Sequence, residues 1–150
     1  MNLHEEVVRT GALCDGDLRL VLSDIADHIY HKVPTLFFRM ISSPTGAEVG
    51  HLNLRVGSTA HIECYAGHIG YGVDEAFRGR HYAARSVVLL VPLARRLQLD
   101  PLWITCDPEN AASRRSLELA GAEFVEIVDV PEDCGILKYG HRARKCRYRL

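Results

Sequence analysis

The apolar residues of this chain change their repeat partway along it. In the first half they run in strand fashion. Leu18-Arg19-Leu20-Val21-Leu22 alternates weakly, Thr35 to Ile41 is a β-rich run, and Glu48 to Val56 alternates through Leu52, Leu54 and Val56. From about Tyr82 to Leu97 the stripe Val87, Leu90, Val91, Ala94 and Leu97 follows a helical period instead. A repeat of two buries one face of a strand, and a repeat near 3.6 buries one face of a helix. A chain holding both must lay helices against a sheet.

The remaining segments fill in an order of β-α-β-β-β-α-β-α-β-β. The first seventeen residues read as irregular or marginally helical. Ser23 to Tyr30 reads as a short helix, with Ser23 or Asp24 as cap and Ile25 and Ile29 four apart. Ser42-Ser43-Pro44-Thr45-Gly46 is a turn cluster, so the strands on either side of it form a hairpin. His61 to Tyr65 is β-rich. Gly70 and Gly72 flank Tyr71 in the next strand, where they let a backbone or a ligand come close. Pro92 cannot donate to the carbonyl of Val88, which predicts a kink in the long helix. Leu102 to Cys106 is a short buried strand. Asp107-Pro108-Glu109-Asn110 opens a helix to about Ala120, with Gly121 after it. Phe124 to Val130 and Lys145 to Leu150 are the last strands. Strand–helix–strand units after residue 68 call for right-handed crossovers.

At 150 residues the chain is expected to be one domain, residues 1–150. Eighteen Lys plus Arg against nineteen Asp plus Glu leave a net charge of −1, which offers no field for gripping nucleic acid or an anionic membrane. The cations near the end, Arg142, Arg144, Lys145, Arg147 and Arg149, alternate with Cys146, Tyr148 and Leu150 as a strand with one wet face does. No apolar run approaches the roughly 20 residues that span a bilayer. The start carries acids early and lacks a compact apolar block, so a cytoplasmic location is expected. Cys14, Cys64, Cys106, Cys134 and Cys146 are widely spaced, odd in number and form no CxxC. The closest histidine pair, His28 and His31, has no acid or cysteine cluster beside it, and no metal is expected.

The segment with the most chemistry runs from Gly70 to Ala84: Gly70-Tyr71-Gly72-Val73 as strand, Asp74 to Arg80 as polar loop, then a helix start. The first turn of a helix has unpaired N–H groups and a partial positive charge, so a small-residue loop there suits phosphate oxygens. Arg78 and Arg80 add full charges. The pattern is neither a Walker A loop nor a GxGxxG fingerprint.

Arg78-Gly79-Arg80-His81-Tyr82-Ala83 resembles motif A of the GNAT superfamily of acetyl-CoA-dependent N-acetyltransferases, with His81 where that family normally has glycine. Asp107 to Ala122 is similar to the family's motif B, with Pro108, Asn110 and Ser113 at its start and Gly121 and Phe124 at its end. The two matches cover residues 68–124 in order. The resemblance implies an α/β (α+β) fold with a mixed, mostly antiparallel central sheet of about seven strands and about three to four helices. It also implies acetyl-CoA as cosubstrate and a primary amine as acceptor: a small amine, an antibiotic, or a protein N-terminus or lysine. Carried over residue by residue, the coenzyme contacts are Tyr71, Gly72 and Val73 through their strand, Arg78 through Ala83 around the diphosphate, and Asn110 and Ser113 along the pantetheine.

Direct attack of an amine on the thioester sets three needs. The carbonyl oxygen needs a donor as it becomes anionic, and the resemblance implies a main-chain N–H near Tyr71 to Val73. An alkyl amine with a pKa near ~10 must lose a proton, and Glu63 and His68 are the candidates. The departing thiolate benefits from a proton donor. The family's tyrosine on the motif B helix is absent between Arg114 and Glu118, which leaves Tyr139, Tyr82 or water. The stretch from Ser23 to Pro34 is shorter than the family's usual two-helix insert, which implies an open acceptor site or one completed by a second chain. A homodimer joined through sheet edges is one such arrangement. His81 and the missing tyrosine also fit a second function, a CoA-binding regulatory module without catalysis.

Overall fold

The computed structural model describes residues 1–134 and 143–150. Among them the elements run α1 (Leu3–Thr10), β1 (Cys14–Asp15), β2 (Leu18–Asp27), β3 (Pro34–Ser42), β4 (Ala47–Arg55), β5 (Ile69–Val73), α2 (Tyr82–Arg96), β6 (Trp103–Cys106), α3 (Ala111–Leu119), β7 (Glu123–Asp129) and β8 (Arg144–Arg149). A π-helical turn, Ile62–Ala66, precedes β5, and a 3-10 turn, Glu75–Phe77, follows it.

The mixed α/β architecture is the expected one, but its strands form two ladders rather than one. β1 to β5 pair antiparallel in chain order, and a second sheet has the order β6-β8-β7. The two meet at a corner. The His68 N–H donates to the Trp103 carbonyl at 2.6 Å, and the Trp103 N–H donates to His68 Nδ1 at 2.9 Å. Gly67 makes this approach possible, because a Cβ there would lie 3.0 Å from both the Trp103 oxygen and the Thr105 nitrogen. Past the corner, β5 pairs with β4 alone among the described residues, and β5 and β6 part. One apolar core still spans both sheets, from Leu36, Phe38, Leu52 and Leu54 through Leu90 and Leu93 of α2 to Ile104 and Tyr148.

Two local expectations are corrected. Ser23 to Tyr30 is not a helix: β2 continues to Asp27, with Asp24, Ile25 and Ala26 opposite Phe37, Leu36 and Thr35. The ladder survives because Ser23 sits in a bulge and its hydroxyl donates to the Phe37 carbonyl at 3.0 Å. Ile29, the second half of the supposed helical pair, is exposed. Likewise His61 to Tyr65 is no strand. Thr59 caps a helical turn there by accepting the Ile62 N–H on its hydroxyl at 3.2 Å, and the Gly67 N–H closes it onto the Ile62 carbonyl at 2.7 Å.

α2 runs unbroken through Pro92, which lies on the exposed face beside Val88, where water can take the orphaned carbonyl. Its start is tied to the β1–β2 turn. The Tyr82 hydroxyl donates to Asp17 Oδ2 at 2.6 Å, and Arg85 pairs with Asp15 at 2.8 Å and Asp17 at 2.7 Å. The Tyr82 hydrogen bond, and then Arg85, hold the Asp17 carboxyl below its ordinary range. No described helix is long and apolar enough to cross a membrane.

Candidate active site

Where β5 and β6 part, a cavity of about 700 Å³ opens. Its walls are β5, the ends of β6 and of the loop after it, the start of α3 and the first turn of α2. The pairing of β4 with β5 decides what β5 offers it. The Arg55 N–H donates to the His68 carbonyl and the Asp74 N–H to the Val49 carbonyl, so in the alternating antiparallel pattern His68, Gly70, Gly72 and Asp74 turn their backbone groups toward β4. Tyr71 and Val73 therefore turn theirs into the wedge. The register also sorts side chains. Tyr71 shares the α2-bearing face with Leu52, while Gly70 and Gly72 share the opposite face with Asn53 and His51. The cavity thus connects the two faces of the sheet.

On the helix-bearing face, α2 begins without a side-chain cap. His81 precedes it in the left-handed region, at φ 60° and ψ 26°, and makes no capping hydrogen bond. The first-turn N–H groups of Tyr82, Ala83 and Ala84 are left to whatever fills the cavity. Arg78, in the loop before them, donates from Nε to the Val73 carbonyl at 3.1 Å and lines the same cavity. Across the wedge, Asn110 Oδ1 accepts the Ser113 N–H at 3.0 Å and caps α3. Ser113 Oγ lies 2.5 Å from the Tyr71 hydroxyl. Burial pushes the Tyr71 phenol up to about 12 and the Cys106 thiol up to about 11, so both are protonated at neutral pH.

Most of the residues singled out in the sequence come together here. Tyr71, Gly72, Val73, Arg78, Gly79, His81, Tyr82, Ala83, Asn110 and Ser113 all line the cavity. Arg80 does not; its carbonyl instead accepts from Arg85 at 3.4 Å. Glu63 does not, and its carbonyl is held by Arg147 at 3.0 and 3.1 Å. His68 is fully buried in the corner between the sheets. Its Nδ1 takes the Trp103 N–H, and its Nε2 lies 3.1 Å from the Ser58 hydroxyl. Burial, and then the charge of Arg55, push its pKa down to about 4. A histidine so engaged is a latch and does not reach the cavity. The Tyr82 hydroxyl is spent on Asp17 and Ser42, and Tyr139 lies outside the described residues.

Several lining groups escaped the sequence reading, His31, Lys145 and Arg55 among them. His31 lines the cavity, with Nδ1 2.8 Å from His61 Nε2. Lys145 is buried on an ion pair with Asp107 at 2.6 Å. Arg55 sits where alternation assigns a wet face. The signal for Arg55 was the glycine-rich strand beside it, since Gly70 leaves room for its head. Among the described residues no group of three or more His, Cys, Asp or Glu is placed to hold a metal ion, and all five cysteines are free.

The acetyltransferase (GNAT) domain model matches residues 12–123. No curated protein matches the chain. Among solved structures, the ribosomal L7/L12 alpha-N-protein acetyltransferase RimL in complex with coenzyme A superposes with a TM-score of 0.65 at 14% identity, covering 93% of this chain and 97% of that one. The ribosomal-protein-S5-alanine acetyltransferase of Vibrio fischeri gives 0.59 at 16%, covering 77% and 61%. A GNAT-family acetyltransferase of Bacillus anthracis gives 0.58 at 19%, covering 76% and 64%. The chain thus spans less than two thirds of the length of these last two proteins. At such identities the likeness is one of fold.

Proposed function

Because the chain belongs to the acetyltransferase (GNAT) domain family, we propose that it transfers an acetyl group from acetyl-CoA to an amine that attacks the thioester directly. One observation carries this reading: a helix start with no side-chain cap and strand amides unpaired among the described residues line the same cavity. When bound, acetyl-CoA supplies the activated acetyl group. The first-turn amides of α2, with Arg78, hold its diphosphate, and Asn110 and Ser113 line its path. The N–H groups of Tyr71 and Val73 are fixed before the substrate arrives, which is what stabilises a developing oxyanion. The Tyr71 phenol, which lines the cavity beside Ser113 Oγ, stands in for the tyrosine missing from α3 as proton donor to the departing sulfur. His31, which lines the cavity with His61 behind it, takes the base role that His68 cannot fill.

Two measurements test this. Coenzyme A and acetyl-CoA are expected to raise the melting temperature, as any ligand specific to the folded state does. Acetyl-CoA with a panel of amines is then expected to release free thiol. No stabilisation by either coenzyme overturns the reading, and stabilisation without turnover on any amine would mark a binding module instead.

A further inference from the structure

The face of the larger sheet turned away from α2 carries Arg39, His51, Asn53 and Arg55, since paired residues share a face and Leu52 and Leu54 point to the core. Arg55 differs from the others in being withdrawn from water, with only 8% of its surface exposed, while still lining the cavity. Its Nη1 donates to the Ala66 and Gly67 carbonyls, both at 2.9 Å. Its Nε is buried without a partner, and its Nη2 makes no hydrogen bond among the described residues. Nor does Arg55 form an ion pair among them. Asp24, a carboxylate of the same face, lies two strands away on β2 and accepts the Ile25 N–H at 2.8 Å. Residues 135–142 contain no Asp or Glu.

A cation removed from water with no opposite charge is costly to keep, and a ligand that brings the charge relieves the cost. The surroundings fit an anion site. A Cβ at Gly70 would lie 2.7 Å from Nη2, so glycine is what admits the guanidinium to the wedge. His28, His61 and His68 all feel the charge of Arg55 and are held below the ordinary histidine range, chiefly by burial, so they add no second fixed cation at neutral pH. Arg55 stands beside Gly70 and Arg78 beside Val73, three residues on along β5 or roughly 10 Å. The amides of Tyr71 and Val73, unpaired among the described residues, belong to the stretch between. A group held by Arg55 on one face and a diphosphate at α2 on the other would therefore bring two ligands together at those amides.

We propose that Arg55 binds a carboxylate of the acceptor, so that the substrate is an amine that also carries a carboxylate. This rests on the acetyl-transfer reading above. Guanidinium and carboxylate make charge-assisted hydrogen bonds that a carboxamide does not match. Free amino acids and peptide N-termini followed by an acidic residue share this chemistry.

The test pairs each acceptor with its amide: free amino acids against amino acid amides, and peptides with Asp against Asn after the terminal residue. In thiol release the wild-type protein is expected to favour the carboxylate by about tenfold in kcat/KM. Arg55→Gln is expected to bring that ratio close to one while leaving the melting shift produced by coenzyme A intact. The better arm, amino acid or peptide, names the source. Equal use of acid and amide by the wild type, or a preference that survives Arg55→Gln, overturns the proposal. Should Arg55→Gln not fold, the unchanged protein decides: an N-acetylated amino acid must compete with the acceptor better than its carboxamide does, and equal competition overturns the proposal. If coenzyme A gives no shift, the transfer reading fails. Arg55 is then judged by whether amino acids stabilise the coenzyme-free protein more than their amides.

Discussion

His81 holds a left-handed backbone at φ 60°, a region that penalises a Cβ by roughly 1–2 kcal/mol and that glycine enters freely. This is a physical reason for a glycine at the position. Its side chain is exposed and caps nothing, so the strain is not repaid by a hydrogen bond. His81→Gly is expected to raise the thermal midpoint by about 2–4 °C and to keep the coenzyme-induced shift; a lower midpoint in calorimetry would contradict the assignment. His68 gives a pH signature. Its folded value is about 4 against an ordinary 6.5, so as pH falls the unfolded chain takes the proton first. Its stabilising effect is complete above about 6.5 and drains away toward about 4, and His28 and His61, also lowered, add in the same direction. Denaturant titrations are expected to show His68→Gln less stable at pH 7 yet flatter than the wild type between those limits. For Tyr71→Phe, the phenol is lost but its ring stays. A fall in kcat of about ten- to a hundredfold with little change in the KM for acetyl-CoA would mark it as the proton donor.

At the level of elements, Pro92 is the plainest oddity. An interior proline is about 3 kcal/mol worse than alanine in a helix. Because Pro92 is exposed, Pro92→Ala disturbs no packing and is expected to stabilise the protein by about 1–3 kcal/mol, read from the urea midpoint at unchanged m-value. Periodicity made β3, β4, α2, β6 and β8 legible, since each has one face committed to the core; β7, exposed along nearly all its length, was legible only from the alternation of Phe124 to Val130. It failed on β2 beyond Leu22, where burial falls away and pairing with β3, a distant segment, decides the conformation. It failed again at Ile62–Ala66, where a threonine cap outweighs a β-rich composition. The loop into α2 and the cap of α3 were readable because turn and cap chemistry is local. Arg55 and His31 were not, because their role depends on which strands lie next to one another.

At the scale of the molecule, the described residues form two sheets that share one core and are hydrogen-bonded to each other at the His68–Trp103 corner. Gly67→Val tests that geometry. A branched side chain at φ 75° with its Cβ about 3.0 Å from the β6 backbone must push the sheets apart, and the expected cost is several kcal/mol together with loss of the coenzyme-induced melting shift. If the variant melts like the wild type, the corner is not the constraint described here. The same corner contains the imidazole that surrenders its lone pair when protonated. Mild acid should accordingly work like a hand on the spine of a book, with amide exchange at Trp103 and His68 quickening before the pages β2 to β4 begin to loosen.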